Sequence, residues 1–84
     1  MNFDDIDYKD GQCRTIEPLG EDMLEVCYPN GFIIDVGYLE ETGRFYITII
    51  KDNDWTNIYK EISVKTELEL KNALRYAIHY VTHS

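Results

Sequence analysis

Two histidines near the end of the chain, His79 and His83, are the residues whose spacing first suggests chemistry. On a helix, residues four apart share one face, so both rings could bind one metal ion. A catalytic zinc usually takes three protein ligands, and the sequence has no HExxH motif and no obvious third ligand. The simpler interpretation is a pair of side chains favoured by the helix C-terminus. A metal or small-ligand sensor is therefore only the third functional hypothesis, and we predict no metal or other cofactor.

Carboxylates are the second candidate group. The segment DDIDYKDG resembles a calcium-binding loop, but Lys9 occupies the third ligand position and Ile16 replaces the closing glutamate. Paired acids could also hydrolyse a glycosidic bond, but that reaction needs a cleft that a single small sheet does not offer. The motifs GxGxxG, GxxxxGK and GxSxG do not occur. We therefore expect that the chain is not an enzyme.

The charge is distributed unevenly along the chain. Sixteen acidic and eight basic residues give a net charge of −8. Residues 1–42 contain eleven acidic and two basic residues, a net of −9, whereas residues 43–84 contain five and six, a net of +1. Phosphates are recognised by Lys and Arg, so we expect neither direct nucleic-acid binding nor attachment to an anionic membrane. Solubility alone is the simplest explanation of the acidity, and the asymmetry weakens that explanation slightly.

Length predicts one domain of 84 residues, with an acidic loop or arm over 1–11, a β-meander over 12–65 and a helix over 66–82. The N-terminal segment lacks the basic-then-apolar order of a signal peptide, so we expect a cytoplasmic protein. Cys13 and Cys27 lack CxxC spacing. We predict two reduced thiols, and a disulfide between neighbouring strands is the alternative.

Alternating apolar residues predict a series of antiparallel strands. The turn PNG places Gly31 at a left-handed position and sets Tyr28 opposite Phe32. A four-residue loop, EETG, sets Leu39 opposite Arg44. A loop shorter by one residue would exchange the faces of the strand, so the hydrophobic pattern selects this register.

The two ends of the predicted sheet are less regular. An edge strand is expected around CRTIEPL, with Pro18 confining it to an edge, and a last strand within WTNIYKEISV has no derivable register. The chain closes with a helix that begins with the capping box of Thr66 and Glu69. Its apolar stripe consists of Leu70, Ala73, Leu74, Ala77, Ile78 and Val81. The predicted fold is α+β: an antiparallel meander sheet of four to five strands with one C-terminal helix packed on one face.

One helix covers one face of a sheet, so the other face is the candidate binding site. The predicted register places Glu25 opposite Asp35 there, and like charges facing each other across strands are unfavourable. Such local conflicts tend to occur at functional sites. The predicted partner-binding residues are Glu25, Asp35, Met23, Tyr46, Ile33 and Ile50.

Two further hypotheses follow from this face. The first is a non-catalytic protein-binding module, of inhibitor or immunity type, that occupies a basic surface of a nuclease or nucleic-acid-binding protein. The second is a structural or self-associating module whose apolar rows, containing Ile33 and Ile50, pair with another copy. The first predicts a monomer and the second a homodimer or a larger assembly.

Overall fold

The computed structural model describes residues 3, 5–15 and 23–83. Within these residues the chain forms five strands and one helix: β1 Gln12–Thr15, β2 Leu24–Cys27, β3 Phe32–Leu39, β4 Arg44–Lys51, β5 Lys60–Val64 and α1 Glu67–Thr82. The strands form one antiparallel sheet in the order β1-β2-β3-β4-β5, so each strand pairs with the next one along the chain. The predicted α+β meander with one C-terminal helix on one face is confirmed.

Two glycine turns establish the register of the central strands. Gly31 and Gly43 adopt left-handed φ angles of +93° and +66°, which glycine accommodates without a steric penalty. Leu39 lies opposite Arg44 as predicted. The Tyr28 N–H donates to the Phe32 carbonyl at 2.9 Å, which confirms the register of the first turn as well.

Asn30 connects the first turn to the helix. Its side-chain oxygen accepts a hydrogen bond from the Phe32 N–H at 3.2 Å, and its amide nitrogen donates to the Val81 carbonyl at 2.9 Å. The second bond satisfies a carbonyl in the last turn of α1, where backbone acceptors have no partner within the helix. The turn therefore also positions the C-terminal end of α1.

The two edge strands are described only in part or begin late. β1 is described over Gln12–Thr15, and the rest of the predicted edge strand, including Ile16, Pro18 and Leu19, lies outside the described residues. β5 begins only at Lys60, so Ile58 of the predicted strand segment lies in the loop before it and is 47% exposed. Asp52 and Asn53 adopt left-handed φ angles in that loop, a conformation that short polar side chains tolerate better than most.

The core lies between the sheet and α1. Its sheet side includes Leu24, Val26, Ile34, Val36, Ile47 and Ile49, and its helix side includes Leu70, Leu74, Ala77, Ile78 and Val81. The predicted helical stripe is thereby confirmed, with Ala73 partly buried at its margin. No helix in the described part of the chain combines the length and apolar character needed to cross a membrane.

The N-terminal segment packs on the helix side of the sheet. Ile6 is 6% exposed and belongs to the core cluster, and Phe3 and Tyr8 pack against that cluster. The Asp5 carboxylate lies 3.2 Å from Lys71 Nζ and 3.8 Å from Arg75 Nη2, both on α1. These described residues therefore lie on the helix side, away from the opposite face.

The capping box at the start of α1 is complete. Thr66 Oγ1 accepts from the Glu69 N–H at 3.1 Å, and Glu69 Oε1 accepts from the Thr66 N–H at 3.1 Å. The pKa of the Glu69 carboxyl is lowered first by the Lys65 N–H and then by the Thr66 hydroxyl and N–H. A carboxyl with a lowered folded-state pKa adds stability above its unfolded pKa, and loses that contribution as the pH falls through the folded value.

We expect the substitution Ile34→Val to lower the free energy of unfolding by about 0.5–1.5 kcal/mol, because Ile34 is 0% exposed. Ile33→Val, the same change one residue earlier on the opposite face, should lower the free energy of unfolding by less, since Ile33 is only partly buried. Urea denaturation measures both. Equal costs would contradict the assignment of the two residues to different environments.

We expect Glu69→Gln to lower the melting temperature above about pH 5, and this loss to shrink as the pH falls through the lowered pKa of the folded-state carboxyl. Thermal unfolding from pH 3 to 7 measures the difference. Glu67→Gln removes a charge from the same helical turn outside the capping box and is the control. If the melting temperature of Glu69→Gln stayed below that of the unsubstituted chain by the same amount from pH 3 to 7, the role of the ionised carboxylate would be contradicted.

Candidate functional site

A polar row crosses the sheet on the face opposite α1. Its members are Arg14, Glu25, Asp35, Thr48 and Glu61, one from each strand and each directly opposite the next. Side chains alternate between faces along a strand, and the neighbours of these residues in β2, β3 and β4 belong to the core. The predicted pairing of Glu25 with Asp35 is confirmed, and we call this set of five residues the polar row.

Sequence reasoning missed two members of the polar row: Glu61 of β5, whose register was not derivable from the sequence, and Arg14 of β1. Arg14 Nη2 lies 3.5 Å from Glu25 Oε1, with side chains 71% and 25% exposed respectively. The cation offsets part of the repulsion between Glu25 and Asp35, although an exposed ion pair contributes at most about 1 kcal/mol. Alternation within QCRT indicates which face of the sheet Arg14 shares with Gln12. Placing Arg14 opposite Glu25, however, requires the register of β1 against β2, which the sequence does not give.

Two of the predicted binding residues are not exposed. Met23 is 1% exposed and belongs to the core cluster, and Ile50 is 0% exposed but lies outside that cluster. The expectation that both are accessible on the open face is therefore wrong. Met23 precedes the first residue of β2, so strand alternation does not determine its direction. Ile50 is the second-last residue of β4, next to the loop formed by residues 52–59.

The other predicted residues do lie on this face. Ile33 lies directly opposite Cys27 of β2 on one side and Ile50 of β4 on the other. Tyr46 lies directly opposite Gly37. Ile33 and Tyr46 are both partly buried. The Tyr46 hydroxyl lies 3.3 Å from Thr42 Oγ1 in the adjacent turn. The ring is therefore anchored at one end while part of it remains accessible.

A concavity of about 460 Å³ occupies the middle of this face. We call it the acidic groove; it is lined by Asp35, Gly37, Tyr38, Leu39, Tyr46, Thr48 and Glu61. Gly37, which lies opposite Tyr46, has no side chain and is itself buried. At the end of the sheet, the Arg44 side chain donates to the Ser63 hydroxyl and carbonyl. This cation therefore already interacts with its own chain.

The electrostatics of the acidic groove favour a cation. Asp35 and Glu61 lie on either side of Thr48, with their Cα atoms two strand spacings, about 10 Å, apart. Two carboxylates and a hydroxyl can accept hydrogen bonds from one positively charged group placed above Thr48. Chemically, this arrangement suits a cationic side chain.

The histidine pair has a simpler arrangement than a metal site. The rings of His79 and His83 stack with their centres 4.0 Å apart, and His83 Nδ1 lies 2.9 Å from the His79 carbonyl. Within residues 3, 5–15 and 23–83, no group of three or more potential metal ligands occurs. The described geometry therefore gives the sensor hypothesis no additional support.

Both cysteines are free thiols, as predicted. Cys13 pairs with Val26, whose side chain is in the core, whereas Cys27 pairs with Ile33 on the opposite face. The two side chains project from opposite sides of the sheet, which excludes the disulfide alternative in this register.

Comparison of the chain with protein-family models, with curated proteins and with solved structures finds no match in any of the three.

Cys27 reports on the environment of Glu25. Partial burial raises the pKa of the Cys27 thiol, and Glu25 raises it further through its charge and by accepting a hydrogen bond from Sγ at 3.7 Å. The positive charge of Arg14 lowers the pKa of this thiol and so partly offsets the effect of Glu25. The thiolate is the reactive form, so Cys27 should be alkylated slowly at neutral pH.

In a Cys13→Ser background, we expect Glu25→Gln to accelerate the alkylation of Cys27 by iodoacetamide at pH 8, because it removes the nearby negative charge. Mass spectrometry at successive times measures the rate. Glu61→Gln, the same change three strands away on the same face, should leave the rate unaltered. An acceleration of equal size in both variants would contradict the local contact between Glu25 and Cys27.

Proposed function

We propose that this chain is a small acidic, non-catalytic module that binds a basic surface of a protein partner through the acidic groove and the polar row. The observation that carries the proposal is the position of Asp35 and Glu61 in a concavity on the sheet face opposite α1. A partner's lysine or arginine placed above Thr48 would contact both carboxylates. Glu25 and its partner Arg14 would lie beside that contact.

The charge of the whole chain supports the same partner. A net charge of −8 attracts a basic protein over distances of about 10 Å in 0.1 M salt and accelerates encounter. Electrostatic complementarity contributes more to association rate and specificity than to final affinity. The affinity itself would depend on the contacts within the acidic groove and on the partly exposed apolar surface of Ile33 and Leu39.

The finer proposal is an inhibitor or immunity-type protein whose target is a nuclease or another nucleic-acid-binding protein. Sites that bind nucleic acid present several Lys and Arg side chains to phosphates. Carboxylates carried at strand spacing can occupy the same cations, because both groups are anionic hydrogen-bond acceptors. Binding of this chain and of nucleic acid to the partner would then be mutually exclusive.

Burial of Ile50 favours this proposal over self-association. The self-associating hypothesis required Ile33 and Ile50 together as an exposed apolar row, and Ile50 is 0% exposed. The remaining apolar surface of that row is smaller, whereas the acidic residues Asp35 and Glu61 line an accessible concavity. A monomer in solution is the expected state.

We expect the chain, used as bait in lysate of its own source, to capture a basic protein that the double variant Asp35→Asn/Glu61→Gln no longer captures. Quantitative mass spectrometry of the bound fraction identifies it. The control is Glu40→Gln/Glu41→Gln, which removes the same charge from the exposed β3–β4 turn and should retain the partner. Capture should weaken steeply between about 0.05 and 0.3 M salt.

Three results would contradict the proposal. The first is a partner retained by the groove variant and lost by the turn variant. The second is salt-insensitive binding to a partner without a basic surface. The third is that no captured protein differs in amount between the groove variant and the turn variant. Displacement of the partner by added single- or double-stranded DNA or RNA would support the finer proposal, and simultaneous binding of nucleic acid would contradict it.

A further inference from the structure

We propose that the group recognised by the acidic groove is the guanidinium of an arginine side chain, in preference to the ammonium of lysine. This inference rests on the proposed function, since it specifies which basic side chain of the partner enters the acidic groove. Three features of the groove carry it: the separation of its carboxylates, the accessible ring of Tyr46 and the apolar side chain of Leu39.

The separation of the carboxylates fits a group with donors on two edges. Asp35 and Glu61 approach Thr48 from opposite sides, from Cα positions about 10 Å apart. An ammonium is a compact point charge, so both carboxylate side chains must converge on a single nitrogen to contact it. The planar guanidinium has five N–H donors in a fixed fork and can donate to both carboxylates at once. The Thr48 hydroxyl between them can accept a further hydrogen bond.

Tyr46 provides an aromatic surface next to the carboxylates. It lies two residues before Thr48 in β4, on the same face and about 7 Å along the strand. Its hydroxyl contact with Thr42 holds the ring, and the ring remains partly exposed on this face. Guanidinium groups stack on aromatic rings, whereas the hydrated ammonium of lysine does so less often.

Leu39 completes the site on the apolar side. It lines the acidic groove and is partly exposed, two residues beyond Gly37 in β3. The methylene stem of an arginine lying along the acidic groove would contact Leu39 while the guanidinium reached Thr48. Long basic side chains commonly bury their stems against apolar surface in this manner.

The probes for this inference are the acetylated amides of arginine, lysine and citrulline, the last a neutral analogue of arginine. Titration of the isotopically labelled chain, followed by amide chemical shifts, should show saturable changes at Gly37, Tyr46, Thr48 and Glu61 with the arginine probe. Arginine should bind about 3-fold or more tightly than lysine, the factor expected from stacking on an accessible ring. Citrulline should produce no saturable change.

Variants separate stacking from charge. Tyr46→Leu should reduce the preference for arginine over lysine to about 1-fold, since it removes the ring but neither carboxylate. Tyr76→Leu, the same substitution at a half-exposed tyrosine on α1, should keep the preference unchanged. Well-dispersed amide spectra of both variants show that each is folded.

Equal affinity of the arginine and lysine probes at the acidic groove would overturn this inference and leave the proposed function standing. Shifts confined to residues outside the groove, or no saturable shift with either cation, would overturn the inference and count against the proposed function too. A preference for arginine that survives Tyr46→Leu would refute the role given to the ring.

Discussion

The pairing of β3 with β4 is the constraint on which the rest of the structure depends. Each strand has eight residues, and the left-handed conformation of Gly43 closes the turn between them with Leu39 opposite Arg44. In this register Ile47 and Ile49 are fully buried. Because side chains alternate along a strand, a shift of one residue would bring these isoleucines to the opposite face. The cost of exposing them holds the register, and the register in turn determines the position of every polar side chain on the other face.

The packed core and the proposed binding site therefore lie on different faces of one sheet. α1 and the described part of the N-terminal segment pack on the same side, where Ile6 joins the core cluster. The opposite face does not depend on apolar packing to the same degree, so it can carry Glu25 beside Asp35 at a cost of a few tenths of a kcal/mol. Arg14 reduces that cost from the edge of the sheet. On the proposed function, a basic partner would add positive charge beside Glu25 and Asp35 and so make this arrangement favourable.

The elements that could be predicted from the sequence are those whose causes are local. Gly43 follows from turn chemistry, and the Thr66–Glu69 capping box from side chains three residues apart. The alternation of β3 and β4 then places Asp35 without further information. Arg14 could not be placed, because its neighbour Glu25 is eleven residues away and the register of an edge strand is weakly specified. Met23 was misplaced for a related reason: alternation holds within a strand and gives no direction to a residue before it.

The most direct test of this account is the pattern of nuclear Overhauser effects between methyl groups in β4 and α1. With Ile, Leu, Val, Ala and Thr methyl groups labelled, the account predicts contacts from Ile47 and Ile49 to the buried methyl groups of α1. It predicts none from the γ-methyl of Thr48 to any residue of α1. Contacts from Thr48 to the helix, with those of Ile47 missing, would show that the polar row lies beneath α1 and would contradict the assignment of the two faces.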